Sequence, residues 1–300
     1  MTERNDGAME RVAIVESALA NVDVVSQLAA FLDARDLCRV GATCRALGSA
    51  NDGASFDGLS MAEEAARRMY EGASGWERSC LPKRDDETWT ELYHHLLMLR
   101  SRLIFDQLVG DYVEYRGGDK ATVQGWRGKW MRGSLSSEAI CGNHIMRGGK
   151  HWATFISSSS SRPQDVAVGV IRPLPGLETR AFDEFAQHEL YQDLLRERTD
   201  KWEGNVDCCK LNMRYGSCYW YDWTRQYVND IINWENRDDY DRNCRTLGLL
   251  LDLDDGILSL YQNGRRLGTL KDGLAGEYCW AAGFRRGKCN VSIHRGYRMG

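Results

Sequence analysis

The sequence has no run near the roughly 18 consecutive apolar residues that a membrane-spanning helix requires. It does not open with a basic segment followed by an apolar core, so no secretion signal is expected. Both absences point to the cytoplasm or nucleus, where its ten cysteines stay reduced. An excess of positive charge is also missing. Residues 1–110 carry 12 Lys/Arg against 18 Asp/Glu, and residues 111–300 carry 27 against 25. Neither part is basic enough to neutralise nucleic-acid phosphates. Catalytic signatures are absent: there is no G-x-S-x-G, no glycine-rich phosphate loop and no Asp/Glu alternation on one strand of the kind a sandwich-fold glycosidase uses. Cys208, Cys209, Cys218 and Cys244, with His188, lack the C-x₂₋₄-C spacing of a structural zinc site. Asp252, Asp254, Asp255 and Gly256 do not form a calcium loop, because the glycine falls one place early and Asn263 stands where a bidentate Glu belongs. No enzyme activity, cofactor, metal, nucleic-acid partner or membrane association is expected.

Prolines are also few, only four, and they mark loops at Pro82, Pro163, Pro173 and Pro175. Up to Gly110 the hydrophobic period is helical. Val24, Val25, Leu28, Phe31 and Leu32 fall on one face, and Leu37, Val40, Cys44 and Leu47 recur at spacings of three and four. Ser60 with Glu63, and Thr88 with Glu91, have capping-box spacing. Gly72 ends the helix that follows Ser60. Leu92, Leu96, Leu99 and Leu103 predict a long helix running to near Gly110 and packed on its own core.

After Gly110 the period becomes two. Val166, Val168 and Val170 alternate with Ala167, Gly169 and Ile171. Tyr278, Trp280, Ala282 and Phe284 share a face, as do Cys289, Val291 and Ile293. Thr246 to Leu270 reads TLGLLLDLDDGILSLYQNGRRLGTL, three apolar runs separated by Asp255-Gly256 and Asn263-Gly264. These dipeptides supply positive φ at the centre of tight hairpin turns, so the segment predicts an antiparallel meander. Short strands with glycine-rich turns indicate a sandwich or barrel. The expected organisation is α+β, an all-α module over 1–110 followed by an all-β antiparallel sandwich over 111–300. Glu178 to Thr199 has a pattern compatible with a helix inserted in a loop.

Five pieces between Tyr115 and Gly296 resemble, in order, the strands of a SPRY domain, a concanavalin-like sandwich. They are GNHIMRGGKHWATFI (Gly142 to Ile156), VAVGVIR (Val166 to Arg172), LGLLLDLDDGILSLYQNGRRLG, YCWAAGF (Tyr278 to Phe284) and CNVSIHRG (Cys289 to Gly296). The hairpin piece is the most specific, whereas Cys208-Cys209 and the run CYWYDW (Cys218 to Trp223) depart from common members. The resemblance implies a binding module whose loops capture short peptides, and it implies Arg172 and Ala282 as candidate contacts. Tyr219, Trp220, Tyr221, Trp223, Arg225 and Tyr227 cluster within nine residues. Such residues are enriched in binding hot spots; the other reading is that several of them fill the inter-sheet core.

Ala20 to Leu47 resembles an F-box, best over FLDARDLCRVGATCR, although Ala20-Asn21 stands where the family has Leu-Pro. The F-box-like segment spans about residues 20–48. The resemblance implies that Leu28, Phe31, Leu32, Leu37 and Val40 dock a Skp-type linker of a cullin ubiquitin ligase. An F-box ahead of a SPRY domain implies a ligase substrate receptor that binds a degradation motif on an unidentified target protein. Two other readings are a peptide-binding scaffold without a ubiquitin role, its helices a plain cap, and a carbohydrate-binding sandwich that stacks sugars on Trp and Tyr.

Overall fold

A computed structural model describes residues 21–29, 31–32, 34–43, 58–110, 112–126, 135–158, 165–176, 182–183, 194–223, 230–286 and 289–296. Cys44, Leu47, Pro163, Arg225 and Tyr227, singled out above, lie outside these residues. The chain forms two compact units that divide between Ser101 and Arg102.

The first unit contains helices α1 (Val22–Ala29), α2 (Ala34–Thr43), α3 (Met61–Glu71), α4 (Gly75–Cys80) and α5 (Trp89–Arg100). Val25, Leu37, Met61, Ala65, Ala66, Leu92, Tyr93, Leu96 and Leu99 form its core. Helix ends leave backbone N–H groups without partners, so each start needs an acceptor. Thr88 and Glu91 form a two-way capping box before α5, and Ser74 and Glu77 form another before α4. The Ser60–Glu63 pair is different. The Ser60 hydroxyl accepts from the Glu63 N–H at 3.2 Å, but the Glu63 carboxylate instead accepts from the Trp89 N–H at 2.7 Å. Glu63 thus caps the start of α5 and ties two helices together. Arg100 donates to Glu77 at 2.7 Å, and this guanidinium holds the Glu77 carboxyl down at about 2.

The leucine stripe does not continue as one helix. Helix α5 stops at Arg100, where Ser101 has extended backbone. Leu92, Leu96 and Leu99 belong to the helical core, whereas Leu103 is buried in the core of the second unit. The 3.6-residue spacing carried over the junction because Leu103 happens to keep it.

The second unit contains β1 (Gln107–Val109), β2 (Val113–Arg116), β3 (Asp119–Gly125), β4 (Leu135–Ile140), β5 (Lys150–Ser158), β6 (Asp165–Ile171), β7 (Phe182–Asp183), β8 (Cys208–Asn212), β9 (Cys218–Tyr221), β10 (Asp230–Ile232), β11 (Thr246–Asp252), β12 (Ile257–Gln262), β13 (Arg265–Lys271), β14 (Cys279–Arg286) and β15 (Cys289–Arg295). One sheet runs β1-β4-β14-β6-β8-β9-β10, with β7 paired to β4; the other runs β13-β12-β11-β5-β15-β3-β2. All described pairings are antiparallel. The two sheets share a core that includes Val166, Val168, Val170, Trp280, Ala282 and Phe284 from one and Phe155, Leu249, Leu260, Val291 and Ile293 from the other. The helix expected within Glu178 to Thr199 is replaced at 182–183 by strand β7, and only 194–196 is helical among the described residues there.

The meander pairs Asp252 with Ile257 and Gln262 with Arg265. Asn263 (φ 49°) and Gly264 (φ 77°) are both left-handed, the requirement of a tight two-residue hairpin. The first turn is longer than expected. Residues 253–256 form a four-residue loop in which only Gly256 (φ 67°) is left-handed, not Asp255. A Cβ on Gly256 would also fall 2.7 Å from the Leu274 carbonyl oxygen, so backbone approach constrains this position too.

The eight-stranded sheet is buried on both faces. Away from the inter-sheet core, Val109, Ile140, Ile171, Cys208, Cys279 and Ala281 pack with Leu174, Leu194, Trp202 and Trp223. Strands covered on both sides read as continuous apolar runs, which is why VAVGVI lacks a polar face.

Candidate peptide-binding surface

The aromatic run lies on β9, where side chains alternate between faces. Register places Cys208 opposite Tyr221, Cys209 opposite Trp220 and Lys210 opposite Tyr219. Tyr219 and Tyr221 therefore share the outer face, their rings 5.5 Å apart and edge-on. Tyr221 packs on the outer apolar cluster. Trp220 points the other way and packs at the margin of the inter-sheet core. The pleat divides what the sequence presents as one patch.

Trp220 lines a groove of about 400 Å³ with Trp234, Thr269, Leu270, Lys271 and Asp272. The Lys271 ammonium sits 5.1 Å from the centre of the Trp220 ring and also donates to the Asp272 carboxylate at 2.9 Å. This bond holds the Asp272 carboxyl below its ordinary range. A second groove of about 590 Å³ shares Asn233 and Trp234 and adds Tyr215, Arg237, Asp239 and Arg242. The floor is fixed by hydrogen bonds: the Trp234 indole N–H donates to the Gly216 carbonyl at 2.8 Å and the Tyr240 hydroxyl to the Met213 carbonyl at 2.6 Å. Gly216 (φ 62°) is required there, since a Cβ would fall 2.5 Å from the Tyr240 ring. The arrangement offers apolar ring surface, hydrogen-bonding groups and both charge signs along two grooves that share Asn233 and Trp234. Trp234 and Lys271 are not legible as site residues, because they approach Trp220 only through the fold. Strand alternation within CYWY was the one sequence signal separating Trp220 from its neighbours.

Two residues implied by family resemblance do not reach the surface. Arg172 is fully buried. Its guanidinium donates to the carbonyls of Ala275 at 2.7 Å, Glu277 at 3.0 Å and Glu203, and pairs with the Asp207 carboxylate at 3.4 Å. It also lies 4.2 Å from the centre of the Tyr278 ring. Each of the three guanidinium nitrogens donates within the fold, so Arg172 holds a segment of the chain rather than a ligand. Ala282 is buried against the core, opposite Val168 on β6. Trp223 is also buried, its ring 5.8 Å from that of Trp202. Of the expected peptide contacts, Tyr219, Trp220 and Tyr221 remain half-buried, and Trp220 alone lines the groove.

In the helical unit the five F-box-like positions also separate. Leu37 is buried, and Leu32 and Val40 are half-buried against the core. Leu28 is 46% exposed and Phe31, in the turn after α1, is 88% exposed.

No family model matches the chain and no curated protein matches it. Among solved structures, the chain is similar to the SPRY domain of human HERC1, at 12% identity over 64% of this chain and 99% of that one, with a TM-score of 0.40. It is also similar to the TRIM65 PSpry domain, at 14% identity over 67% and 94%, with a TM-score of 0.38. A third similar structure is a human SPRY domain, at 11% identity over 63% and 97%, with a TM-score of 0.36.

Proposed function

We propose that this protein is a protein-interaction adaptor whose sandwich captures a short segment of a target polypeptide. The observation that carries the reading is the groove at Trp220, a half-buried ring that lines it together with the fixed Trp234, Lys271 and Asp272. Aromatic side chains give large contact area at low entropic cost and dominate hot spots. A sugar-stacking role fits less well, because the Lys271 ammonium already caps the Trp220 ring.

The finer reading is a substrate receptor of a cullin-type ubiquitin ligase, in which the helical unit docks a Skp-type linker. Leu28 and Phe31 support it, since both hold apolar surface out of the helical core. Affinity purification from native cells tests it. Recovery of a Skp-type subunit and a cullin by the wild-type chain, and its loss in Phe31→Asp, is the expected result. Failure of the wild type to recover either subunit removes the ligase role and leaves a scaffold.

A further inference from the structure

A cleft of about 740 Å³ opens where three segments meet: the start of β1, the turn after β4 and the Pro173–Gly176 stretch after β6. It shares no lining residue with the Trp220 groove. Its walls mix apolar surface from Leu108, Ile145, Pro173, Leu174 and Pro175 with the polar groups of Gln107 and Asn143. Its single ionisable lining group is the carboxyl of Asp106.

One oxygen of this carboxyl is left without a partner. Oδ2 accepts the Asn143 N–H at 3.0 Å, while Oδ1 is closed off from water and has no hydrogen-bond partner. Burial raises its pKa; backbone N–H groups of Asn143, Asp106 and Gly142 oppose the rise, and the charge of Lys120 opposes it least. A buried polar atom without a partner carries a desolvation cost. At the rim, Glu197 accepts from the Gly176 N–H at 2.9 Å, adding a second negative group.

We propose that this cleft receives the side chain of a lysine or arginine from a partner polypeptide, with Asp106 as its counter-charge. The aliphatic stem lies along Leu108, Ile145 and Pro175 while the charged head approaches the carboxyl from the cleft, as long cationic side chains do at mixed surfaces. The incoming charge offsets the desolvation cost of the half-buried carboxylate without a direct bond to its partnerless Oδ1. A carboxylate in a cleft of mixed lining, with a second carboxylate at its rim, favours cations over neutral side chains of the same length.

The test uses the full chain and three probes: the N-acetyl methylamides of arginine, lysine and norleucine. Amide resonances of Gly142 and Asn143 are followed by NMR during titration to roughly 50 mM, a range suited to fragments with millimolar Kd. The expected result is saturation by a cationic probe at a concentration about tenfold lower than norleucine, a ratio that falls below about twofold in Asp106→Asn. Equal binding of norleucine, an unchanged ratio in Asp106→Asn, or no shift with any probe overturns the proposal. The comparison among probes needs no variant, so it decides the matter even where Asp106→Asn fails to fold.

Discussion

Lys210 on β8 reaches Glu138 on β4, ammonium to carboxylate at 2.5 Å, although β6 and β14 lie between them. Both side chains are buried on the outer face of the eight-stranded sheet. Strands sit about 4.8 Å apart, so the pair spans about 14 Å of sheet. The span is possible because the positions beneath it are Ala167 and Gly169 on β6 and Ala281 and Gly283 on β14. A Cβ on Gly283 would fall 2.7 Å from a Glu138 carboxylate oxygen.

Removing one member of a buried ion pair leaves the other charge uncompensated, at a cost of about 3–5 kcal/mol. Lys210→Met, which takes the ammonium away from the buried Glu138 carboxylate, is therefore expected to lower unfolding stability by about that amount, measured by urea titration. The double variant Glu138→Gln with Lys210→Met should lose clearly less than the sum of the single changes. Additive losses would mean that the two groups do not act as a pair.

Arg172 predicts a second loss. It links the end of β6 to the 203–207 and 275–277 segments, and its partner Asp207 accepts the Trp223 N–H at 3.0 Å. Lysine keeps the charge but loses the planar fork and the flat contact with Tyr278. Arg172→Lys should cost about 2–4 kcal/mol and expose the 200–207 segment to limited proteolysis. Wild-type stability with unchanged cleavage would show that the fork is dispensable.

Acidification should weaken the fold through His151. Burial pushes its pKa down to about 4 from an ordinary value of 6.5, although its Nε2 lies 2.8 Å from the Gly148 carbonyl. The unfolded chain takes up a proton below pH 6.5 that the folded chain refuses. Stability is therefore complete above about 6.5, declines as pH falls toward 4 and loses at most about 3 kcal/mol. Urea midpoints across that window should fall more steeply for the wild type than for His151→Gln. Parallel profiles would assign the acid sensitivity to other groups.

The strands of the meander were legible because local chemistry decides them: Asn263-Gly264 takes left-handed backbone at little cost, and the flanking leucines alternate or run continuously as burial requires. Tyr278, Trp280, Ala282 and Phe284 share one buried face for the same reason. Long-range placement was not legible. Arg172 reads as a surface residue by type, and only the carbonyls of Glu203, Ala275 and Glu277 converging on it explain its burial. Glu63 has capping-box spacing with Ser60, yet its carboxylate goes to Trp89, 26 residues away. Leu103 keeps helical spacing with Leu99 but belongs to another core. The Trp220 groove depends on Trp234 and Lys271, and nothing local to CYWY specifies them.

The division of the aromatic run makes the binding proposal separable from simple loss of folding. Trp220 lines the groove, whereas Tyr219, its neighbour in sequence, projects from the opposite face beside Tyr221. Truncating a hot-spot aromatic costs about 2 kcal/mol or more of binding, roughly a thirtyfold loss of affinity. Trp220→Ala should thus abolish recovery of the target polypeptide in affinity purification, while Tyr219→Ala retains it. Circular dichroism and urea titration of both variants separate binding from stability, since Trp220 also packs against the core. If Tyr219→Ala loses the partner and a folded Trp220→Ala keeps it, the binding surface is the outer face of the sheet and not the groove.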